Sequence, residues 1–183
     1  MMPASKSRSH NGVKRVIVRP KPGCKTRCLV RIGSLTFQGA IGRSARTIFK
    51  REGDGATPIK TMTCISGYYK YRHRIRAQTK LQMVPISKNM GWCDQPDHAN
   101  YNRAVKLPFS PSHETMLRDD VLYDFVIVLD WNISSRKRHC GSAIFFHVAK
   151  PGYPPTQGCI AISRQDMMRL LPYIDNKTVV QVV

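Results

Sequence analysis

Short apolar runs separated by polar, glycine- and proline-rich segments make up most of this chain of 183 residues. Runs of this kind, bounded by turn residues, are typical of β-strands. Helical spacing is clear only in one segment, which opens at the capping residue Ser163 and stops at Pro172. The pattern therefore predicts a mainly β protein with minor α content, built as a mixed sheet or sandwich. Strands are predicted at residues 13–19, 28–32, 35–41, 122–131, 142–148, 159–162 and 177–183.

Three segments depart from this plan. Residues 1–12 are polar and serine-rich, and we predict a disordered basic tail, which leaves residues 13–183 as a single domain. Residues 85–115 show no clear period, so we predict a long irregular loop that walls the functional site. Residues 69–76 alternate between cations, among them Lys70 and Arg72, and aromatic or apolar side chains. A solvated strand face and a base-stacking ribbon both fit this alternation.

The charge balance is strongly positive. Thirty Lys and Arg against eleven Asp and Glu give a net charge of +19, and no acidic residue precedes Glu52. Such a surface favours polyanions, whether nucleic acid, anionic lipid or an anionic wall polymer. The alternative is that the charge only serves solubility, since net charge describes association and not fold.

Targeting signals are weak in this sequence. No apolar stretch approaches the length of a membrane span, and the run at 125–129 is typical of a buried strand. The start of the chain is basic, but its longest apolar run before residue 30 is Val16-Ile17-Val18. We therefore predict neither a membrane span nor a visible secretory signal.

Six cysteines are too few to build a disulfide scaffold of this length. Cys24 and Cys28 either pair or stay independent, and most of the others are expected to be small buried residues or loop thiols. The sequence has no CxxC pair and no HExxH motif, so no zinc site is predicted.

His147 and Cys159 have a chemically informative context. His147 ends an apolar run, and Cys159 follows Gly158 after a loop rich in proline and glycine, twelve positions further on. A free thiol with a pKa near 8.5 is only about 3% ionised at pH 7, so it needs a neighbouring base to act as a nucleophile. Gly158 leaves room for a carbonyl oxygen to approach backbone N–H groups, as an oxyanion hole requires. The pattern favours a Cys–His acyl-transfer site.

His147, Thr156, Gly158 and Cys159 resemble the His…(Ser/Thr)-x-Gly-Cys signature of the YkuD-type L,D-transpeptidases, bacterial enzymes that crosslink peptidoglycan through a cysteine acyl-enzyme. The likeness spans roughly residues 13 to 171, and segment 50–58 resembles the turn that precedes a core strand in that fold. Segments 92–94, 101–103 and 122–124 resemble an alphaproteobacterial branch of the family. The chain departs from many members at Gln157, where they have His, and at Ala161, where they have Arg. Its loop between His147 and Cys159 is also shorter.

The resemblance implies the β-rich catalytic domain of an L,D-transpeptidase, with Cys159 as nucleophile, His147 as base and Gly158 leaving space for the oxyanion. It implies stem peptides as substrates, no cofactor, a place in the periplasm or cell envelope, and acylation of Cys159 by carbapenems. Side chains that border the nucleophile, or that form a polar-aromatic set nearby, are candidates for substrate binding. An alternative is open for each group: the first could be simple turn residues, and the second could belong to a loop that folds back on itself. The candidates are Thr156, Gln157, Trp92, Asp94, Tyr101, Asn102 and Arg103, of which Arg103 could grip a stem carboxylate.

Two rival functions remain at the level of sequence. Water could replace the acceptor amine, which would give an L,D-carboxypeptidase or a crosslink-cutting endopeptidase. Alternatively, the chain could be a basic polyanion-binding protein in which Cys159 is incidental. Wall polymers suit the charge, and nucleic acid is the less favoured partner.

Overall fold

Strands dominate the computed structural model, which describes residues 14–71 and 78–183. The predicted segments appear as strands with bounds that differ by a few residues, and further short strands lie between them. Within these described residues the strands are β1 Arg15–Pro20, β2 Arg27–Ile32, β3 Leu35–Ala40, β4 Arg46–Thr47, β5 Thr57–Pro58, β6 Thr61–Tyr69, β7 Met83–Pro85, β8 Met90–Cys93, β9 Arg103–Lys106, β10 His113–Thr115, β11 Phe125–Leu129, β12 Phe145–Val148, β13 Ile160–Ile162 and β14 Val179–Val182.

Nine of these strands form one mixed sheet that curves back on itself. The order is β11-β12-β13-β3-β2-β1-β14-β6-β7, and β11 also pairs with β6, which closes the sheet into a barrel-like sandwich. The pairs β1–β14, β12–β13 and β6–β7 are parallel, and the other pairs in this sheet are antiparallel. The predicted mainly β fold with a mixed sheet is confirmed.

The main core fills the inside of this curved sheet. Alternate residues of neighbouring strands point inward, as in the pairs Val16↔Ile32 and Val18↔Val30 between β1 and β2. Strand β11 contributes to two apolar clusters, because Ile127 belongs to the main core while Val126 belongs to a second cluster beneath the pocket described below. All five residues of β11 are buried, which explains why its sequence is continuously apolar rather than alternating.

One helix, α1 Arg164–Leu170, packs against the main core through Met167 and Leu170. Ser163 caps it as predicted, since its hydroxyl accepts a hydrogen bond from the Asp166 amide at 3.0 Å. A short 3₁₀ helix, Leu171–Tyr173, follows and includes the proline that ends α1. No helix in the described parts of the chain is both long enough and apolar enough to cross a membrane.

Two sequence interpretations differ from the structure. Residues 85–115 are not an irregular loop, because they contain β8, β9 and β10, which form a separate three-stranded sheet. Lys70, predicted on a solvated cationic face, is buried, and its ammonium group donates a hydrogen bond to the Asp120 carbonyl. The rest of the predicted ribbon at 72–76 and the predicted tail at 1–12 lie outside the described residues.

All six cysteines are free thiols. Cys28, Cys64 and Cys93 are buried, and burial raises the pKa of Cys28 and Cys64 to about 12. Cys24, Cys140 and Cys159 are partly exposed. Cys24 and Cys28 therefore stay independent, and exposure alone does not distinguish Cys159 from the other two partly exposed thiols.

Candidate active site

A pocket of about 390 Å³ opens where β12 and β13 meet the segment before β11. It contains both predicted catalytic side chains and three of the predicted substrate-binding residues. Charged side chains that sequence analysis did not single out complete its walls. The residues that concern the chemistry are Cys159, His147, Thr156, Gln157, Asp94, Glu52, Glu114, Arg118, Tyr123 and Lys150.

Sheet geometry places His147 and Cys159 on one face. Strands β12 and β13 are parallel, with His147 opposite Ala161. Because side chains alternate along a strand, Cys159 projects to the same side as Ala161 and therefore as His147. With strands about 4.8 Å apart and a rise of about 3.3 Å per residue, the two Cα atoms are roughly 8 Å apart on the diagonal. That separation allows an imidazole and a thiol to meet in the pocket that both line.

The Cys159 thiol is half-buried and held by the backbone at the start of β12 and just before it. Its sulfur donates a hydrogen bond to the Ala143 carbonyl at 3.2 Å and accepts one from the Phe145 amide at 3.4 Å. Burial, together with a smaller effect of the nearby Glu114 carboxylate, raises the pKa of Cys159 to about 12 against the lowering effect of the Phe145 amide and Lys50. The resting side chain is therefore a neutral thiol that needs a base.

His147 is 6% exposed and is oriented by the main chain. Its Nδ1 lies 2.8 Å from the Val148 carbonyl oxygen. A carbonyl can only accept, so Nδ1 carries the proton and Nε2 keeps a free lone pair. Burial, with a smaller effect of Arg118, lowers the pKa of His147 to about 4, although the hydrogen bond to the Val148 carbonyl and the Asp120 carboxylate act in the opposite direction. The neutral, base-competent imidazole is therefore the stable form at neutral pH.

The turn that presents Cys159 is braced by Thr156. The Thr156 hydroxyl donates to the Cys159 carbonyl at 2.6 Å and accepts from the Gly158 amide at 3.2 Å. Gly158 has φ +130°, a conformation that side chains disfavour, and a Cβ there would lie 2.9 Å from the Ala56 carbonyl oxygen. Glycine is thus required here by both backbone conformation and space.

The same turn is tied to the segment between β3 and β5. The Thr156 amide donates to the Ile41 carbonyl at 3.0 Å, and the Arg43 amide donates to the Thr156 carbonyl at 2.8 Å. The buried Thr57 hydroxyl donates to the Gly158 carbonyl at 2.9 Å and accepts from the Gly42 amide at 2.8 Å. Sequence analysis missed Thr57, whose only signal was its place in the turn-like segment 50–58.

Charged side chains form the opposite wall. The Tyr123 hydroxyl donates to Glu114 at 2.5 Å, and the Tyr123 ring lies edge-on to the His147 ring with centroids 5.6 Å apart. Arg118 reaches Asp120 through two hydrogen bonds of 3.0 and 3.1 Å, lies 3.7 Å from Glu114 and covers the Tyr123 ring. Glu114 and Arg118 are four residues apart, but their relation to the pocket depends on tertiary contacts that no motif predicts.

The sequence profile of the YkuD family, described as an L,D-transpeptidase catalytic domain, matches residues 14–182. The match covers the chain from β1 to β14 and includes both His147 and Cys159. The chain belongs to the YkuD family.

The crystal structure of Mycobacterium tuberculosis L,D-transpeptidase 1 is similar to this YkuD domain with 12% sequence identity and a TM-score of 0.41. The similarity covers 93% of the chain and 62% of that structure, so the chain spans less than two thirds of its length. No curated protein matches the sequence.

Three predicted substrate-binding residues of this YkuD domain are buried instead: Trp92, Tyr101 and Asn102. Trp92 is 5% exposed and packs edge-on against Phe145 with ring centroids 5.1 Å apart. Asn102 is fully buried, and its side-chain oxygen accepts from the Trp92 indole N–H and the Ala143 amide, both at 3.0 Å. Its amide group donates to the Trp131 carbonyl at 3.0 Å. These polar atoms are used inside the protein, which differs from the predicted contact with substrate.

Tyr101, Arg103 and Asp94 have three different positions. Tyr101 is buried, and its hydroxyl donates to Glu52, which lines the pocket, at 2.5 Å. Arg103 is exposed on β9, opposite Cys93, and is not among the pocket residues. Asp94 does line the pocket, and one of its oxygens accepts from the Ser112 hydroxyl at 2.6 Å. Of the predicted polar-aromatic set, Asp94 alone reaches the pocket surface.

The pocket is rich in carboxylates although the protein as a whole has a net charge of +19. Glu52, Asp94 and Glu114 line it together with the cations Arg118 and Lys150. Among the described residues, no group of three or more His, Cys, Asp and Glu side chains is arranged to hold a metal ion. The arrangement offers a thiol, a neutral imidazole, and groups of both charges for ionic parts of a substrate.

Proposed function

We propose that this YkuD domain is a cysteine-dependent peptidoglycan L,D-transpeptidase that forms stem-peptide crosslinks through a thioester acyl-enzyme. The observation that supports this most directly is the placement of His147 and Cys159 on one sheet face, in one pocket. The Val148 carbonyl orients the imidazole so that Nε2 is the free base. The family, which acts on peptidoglycan, supplies the substrate class.

In the first half-reaction, His147 Nε2 removes the thiol proton as Cys159 Sγ attacks the carbonyl carbon of an L-configured stem residue. The C–S bond forms and the carbonyl becomes a tetrahedral oxyanion. Collapse of this intermediate breaks the C–N bond to the C-terminal fragment, such as D-alanine. The imidazolium returns its proton to the departing amine, which leaves a thioester on Cys159 and a neutral His147.

The oxyanion would be stabilised by the turn that precedes β13. The Gly158 amide already donates to Thr156, so the Cys159 amide is the donor that this turn would contribute. Gly158 contributes by lacking a side chain beside the developing oxyanion. A fixed donor of this kind needs no rearrangement during the reaction, because Thr156 and Thr57 hold the turn.

In the second half-reaction, an acceptor amine attacks the thioester carbonyl, passes a proton to His147 and releases the Cys159 thiol. The carboxylates Glu52, Asp94 and Glu114 favour an approaching ammonium group, such as that of a diaminopimelate side chain, over a neutral molecule. This ammonium group loses one proton to solvent before the resulting amine attacks. Arg118 and Lys150 are the pocket cations suited to a stem carboxylate, a role in which they replace Arg103.

Substrate contacts are divided between two groups of predicted residues. Thr156, Gln157 and Asp94 line the pocket and would border the donor peptide. Trp92, Tyr101 and Asn102 would act indirectly. Tyr101 and Asn102 hold the pocket residues Glu52 and Ala143, and Trp92 packs on Phe145, whose amide donates to the Cys159 sulfur.

The wider setting of the protein is also part of the proposal. The segments that contain Trp92, Tyr101 and Tyr123 support membership of the alphaproteobacterial branch. We propose residues 13–183 as one catalytic domain that works in the periplasm or cell envelope. Acylation by carbapenems would occur at Cys159.

The test compares Cys159→Ala with Cys140→Ala, which removes another partly exposed thiol. Both variants and the parent are incubated with purified muropeptides, with and without an added amine acceptor, and the products are separated by mass. The proposal expects crosslinked products from the parent and Cys140→Ala and none from Cys159→Ala. Shortened stems alone, even with acceptor present, would favour the hydrolytic rival. Equal activity of Cys159→Ala would exclude cysteine catalysis.

A further inference from the structure

Three large apolar side chains are exposed at the β4–β5 corner. Phe49 is 80% exposed, Ile48 is 66% exposed, and Ile59 is 37% exposed. Ile48 and Ile59 directly follow the paired strands β4 and β5, and the Ile59 amide donates to the Thr47 carbonyl at 2.8 Å. Ile48 and Ile59 thus extend from neighbouring paired strands, and Phe49 follows Ile48 in sequence; these three residues are called here the apolar tip.

The apolar tip is held by a well-anchored loop. The Phe49 amide donates to the Thr47 hydroxyl at 3.0 Å. Lys50, which follows, is buried, and its ammonium group donates to Asp54 at 2.6 Å and to the Arg51 carbonyl at 2.7 Å. Because both sides of Phe49 are fixed, its exposure is a property of the folded loop and not of fraying.

Cations surround the apolar tip. Ile48 and Phe49 line a groove that also contains Lys60 and Lys137, both exposed. Arg51 is exposed two positions after Phe49. Among the described residues that line the groove, Asp130 is the one carboxylate. The corner thus combines protruding apolar groups with local positive charge.

We propose that the apolar tip docks this protein on an anionic phospholipid bilayer, with Ile48 and Phe49 entering the interface and Lys60, Lys137 and Arg51 contacting lipid headgroups. Two neighbouring apolar side chains on a rigid loop can enter the boundary between headgroups and acyl chains, and flanking cations gain from the negative surface potential. The net charge of +19 gives the same surface long-range attraction to such a bilayer. The proposed peptidoglycan reaction leaves this corner unused, so the inference does not depend on it.

The experiment measures cosedimentation of the full chain with vesicles of phosphatidylcholine alone and with vesicles that also contain phosphatidylglycerol. The parent is expected to bind the anionic vesicles and not the neutral ones. Phe49→Ser and Ile48→Ser should each weaken binding about tenfold, since each removes most of an apolar side chain that would be buried in the bilayer interface. Lys60→Glu should weaken it as well and alter its salt dependence.

Tyr173→Ser is the matched control, because Tyr173 is 46% exposed on the short 3₁₀ helix and outside the groove. It should bind as the parent does, and thermal melting should show every variant folded. A second readout is Phe49→Trp, whose fluorescence should shift to shorter wavelength with anionic vesicles only.

Several results would overturn the proposal. If Phe49→Ser binds vesicles as well as the parent does, then the overall charge of the protein alone explains the binding and the apolar tip has no part in it. If the protein does not bind vesicles but cosediments with peptidoglycan sacculi, and this requires Phe49, then the apolar tip binds the cell wall and not a bilayer. Phe49-dependent self-association in size-exclusion chromatography, without vesicle binding, would assign it to a second copy of the chain. Vesicle binding requires no catalysis, so failure here leaves the proposed transpeptidase reaction unaffected.

Discussion

The wall of the pocket that contains Cys159 is held by backbone hydrogen bonds and short hydroxyl side chains, whereas the opposite wall is held by ion pairs between long side chains. On the first wall, Thr156 and Thr57 bind main-chain groups of the nucleophile turn at 2.6 to 3.2 Å. On the second wall, Arg118 connects Glu114 and Asp120 at 3.0 to 3.7 Å. The first wall places the reacting sulfur, and the second sets the electrostatic potential around it.

This difference has a consequence for substitutions. Changes to the backbone-held wall should alter geometry and therefore reduce both stability and rate. Changes to the charged wall should alter the pKa values of neighbouring groups while leaving the fold intact, because its ion pairs are partly exposed to solvent.

The largest effect is expected at the base. His147→Gln can keep a hydrogen bond to the Val148 carbonyl but cannot take the thiol proton, so the crosslinking rate should fall about 10²- to 10⁴-fold. The measurement is the initial rate of crosslink formation, with thermal melting to show that the fold persists. A folded variant that retains most of the parental rate would remove His147 from the mechanism.

Gly158→Ala tests the backbone-held wall. The added Cβ would meet the Ala56 carbonyl at 2.9 Å in a conformation with φ +130°. We expect a loss of about 1–3 kcal/mol in the free energy of unfolding and a marked loss of rate.

Gly152→Ala is its control, because Gly152 also has positive φ, at +78°, but has no atom within 4 Å of the added Cβ. It should lose some stability through strain while keeping its rate. Urea unfolding and the crosslinking assay report both quantities. Equal rates for the two alanine variants would show that the tight packing at Gly158 is not needed for activity.

Glu114→Gln tests the charged wall. The Glu114 carboxylate raises the pKa of Cys159, so its removal should lower that pKa and increase the thiolate fraction at every pH below it. We expect alkylation of Cys159 by iodoacetamide to become severalfold faster, with the whole pH profile moved to lower pH. Asp94→Asn, a change in the same pocket at a residue that is not among the causes of the raised pKa of Cys159, should leave the profile in place. A shift to higher pH in Glu114→Gln would contradict the electrostatic role.

Arg103→Ala should have the smallest effect. Arg103 is exposed on β9 and away from the pocket, so its removal should change stability by less than about 0.5 kcal/mol and leave the affinity for stem peptide unchanged. Arg118→Ala is the comparison, and it should weaken donor binding. A raised KM in Arg103→Ala with Arg118→Ala unaffected would restore Arg103 as the carboxylate-binding residue.

The two walls also explain which features could be predicted from sequence. The fold class, the strands of the large sheet and the Ser163 cap depend on local patterns of apolar and capping residues. His147 lies on β12, and Gly158 and Cys159 immediately precede the adjacent strand β13, so a short motif is enough to bring them to one pocket. Glu114, Arg118 and Glu52 reach the pocket through tertiary contacts across long stretches of chain, which no local pattern contains.

Residues 85–115 show most clearly which structural features could not be predicted from the sequence. Strands β8, β9 and β10 are three or four residues long, too short for alternation to be visible, so sequence alone predicts an irregular segment. Trp92 and Asn102 have the composition of a binding loop, but Asn102 uses its polar groups on Trp92, Ala143 and Trp131. Composition suggested a ligand where the protein itself is the partner.

The central claim is that Cys159 is a nucleophile activated by His147. Meropenem treatment followed by intact mass measurement and peptide mapping tests it most directly, in the parent, Cys159→Ala and His147→Gln. We predict one covalent adduct that maps to Cys159 in the parent, none in Cys159→Ala and much slower formation in His147→Gln. An adduct at another cysteine, or one that forms at the parental rate without His147, would contradict the claim.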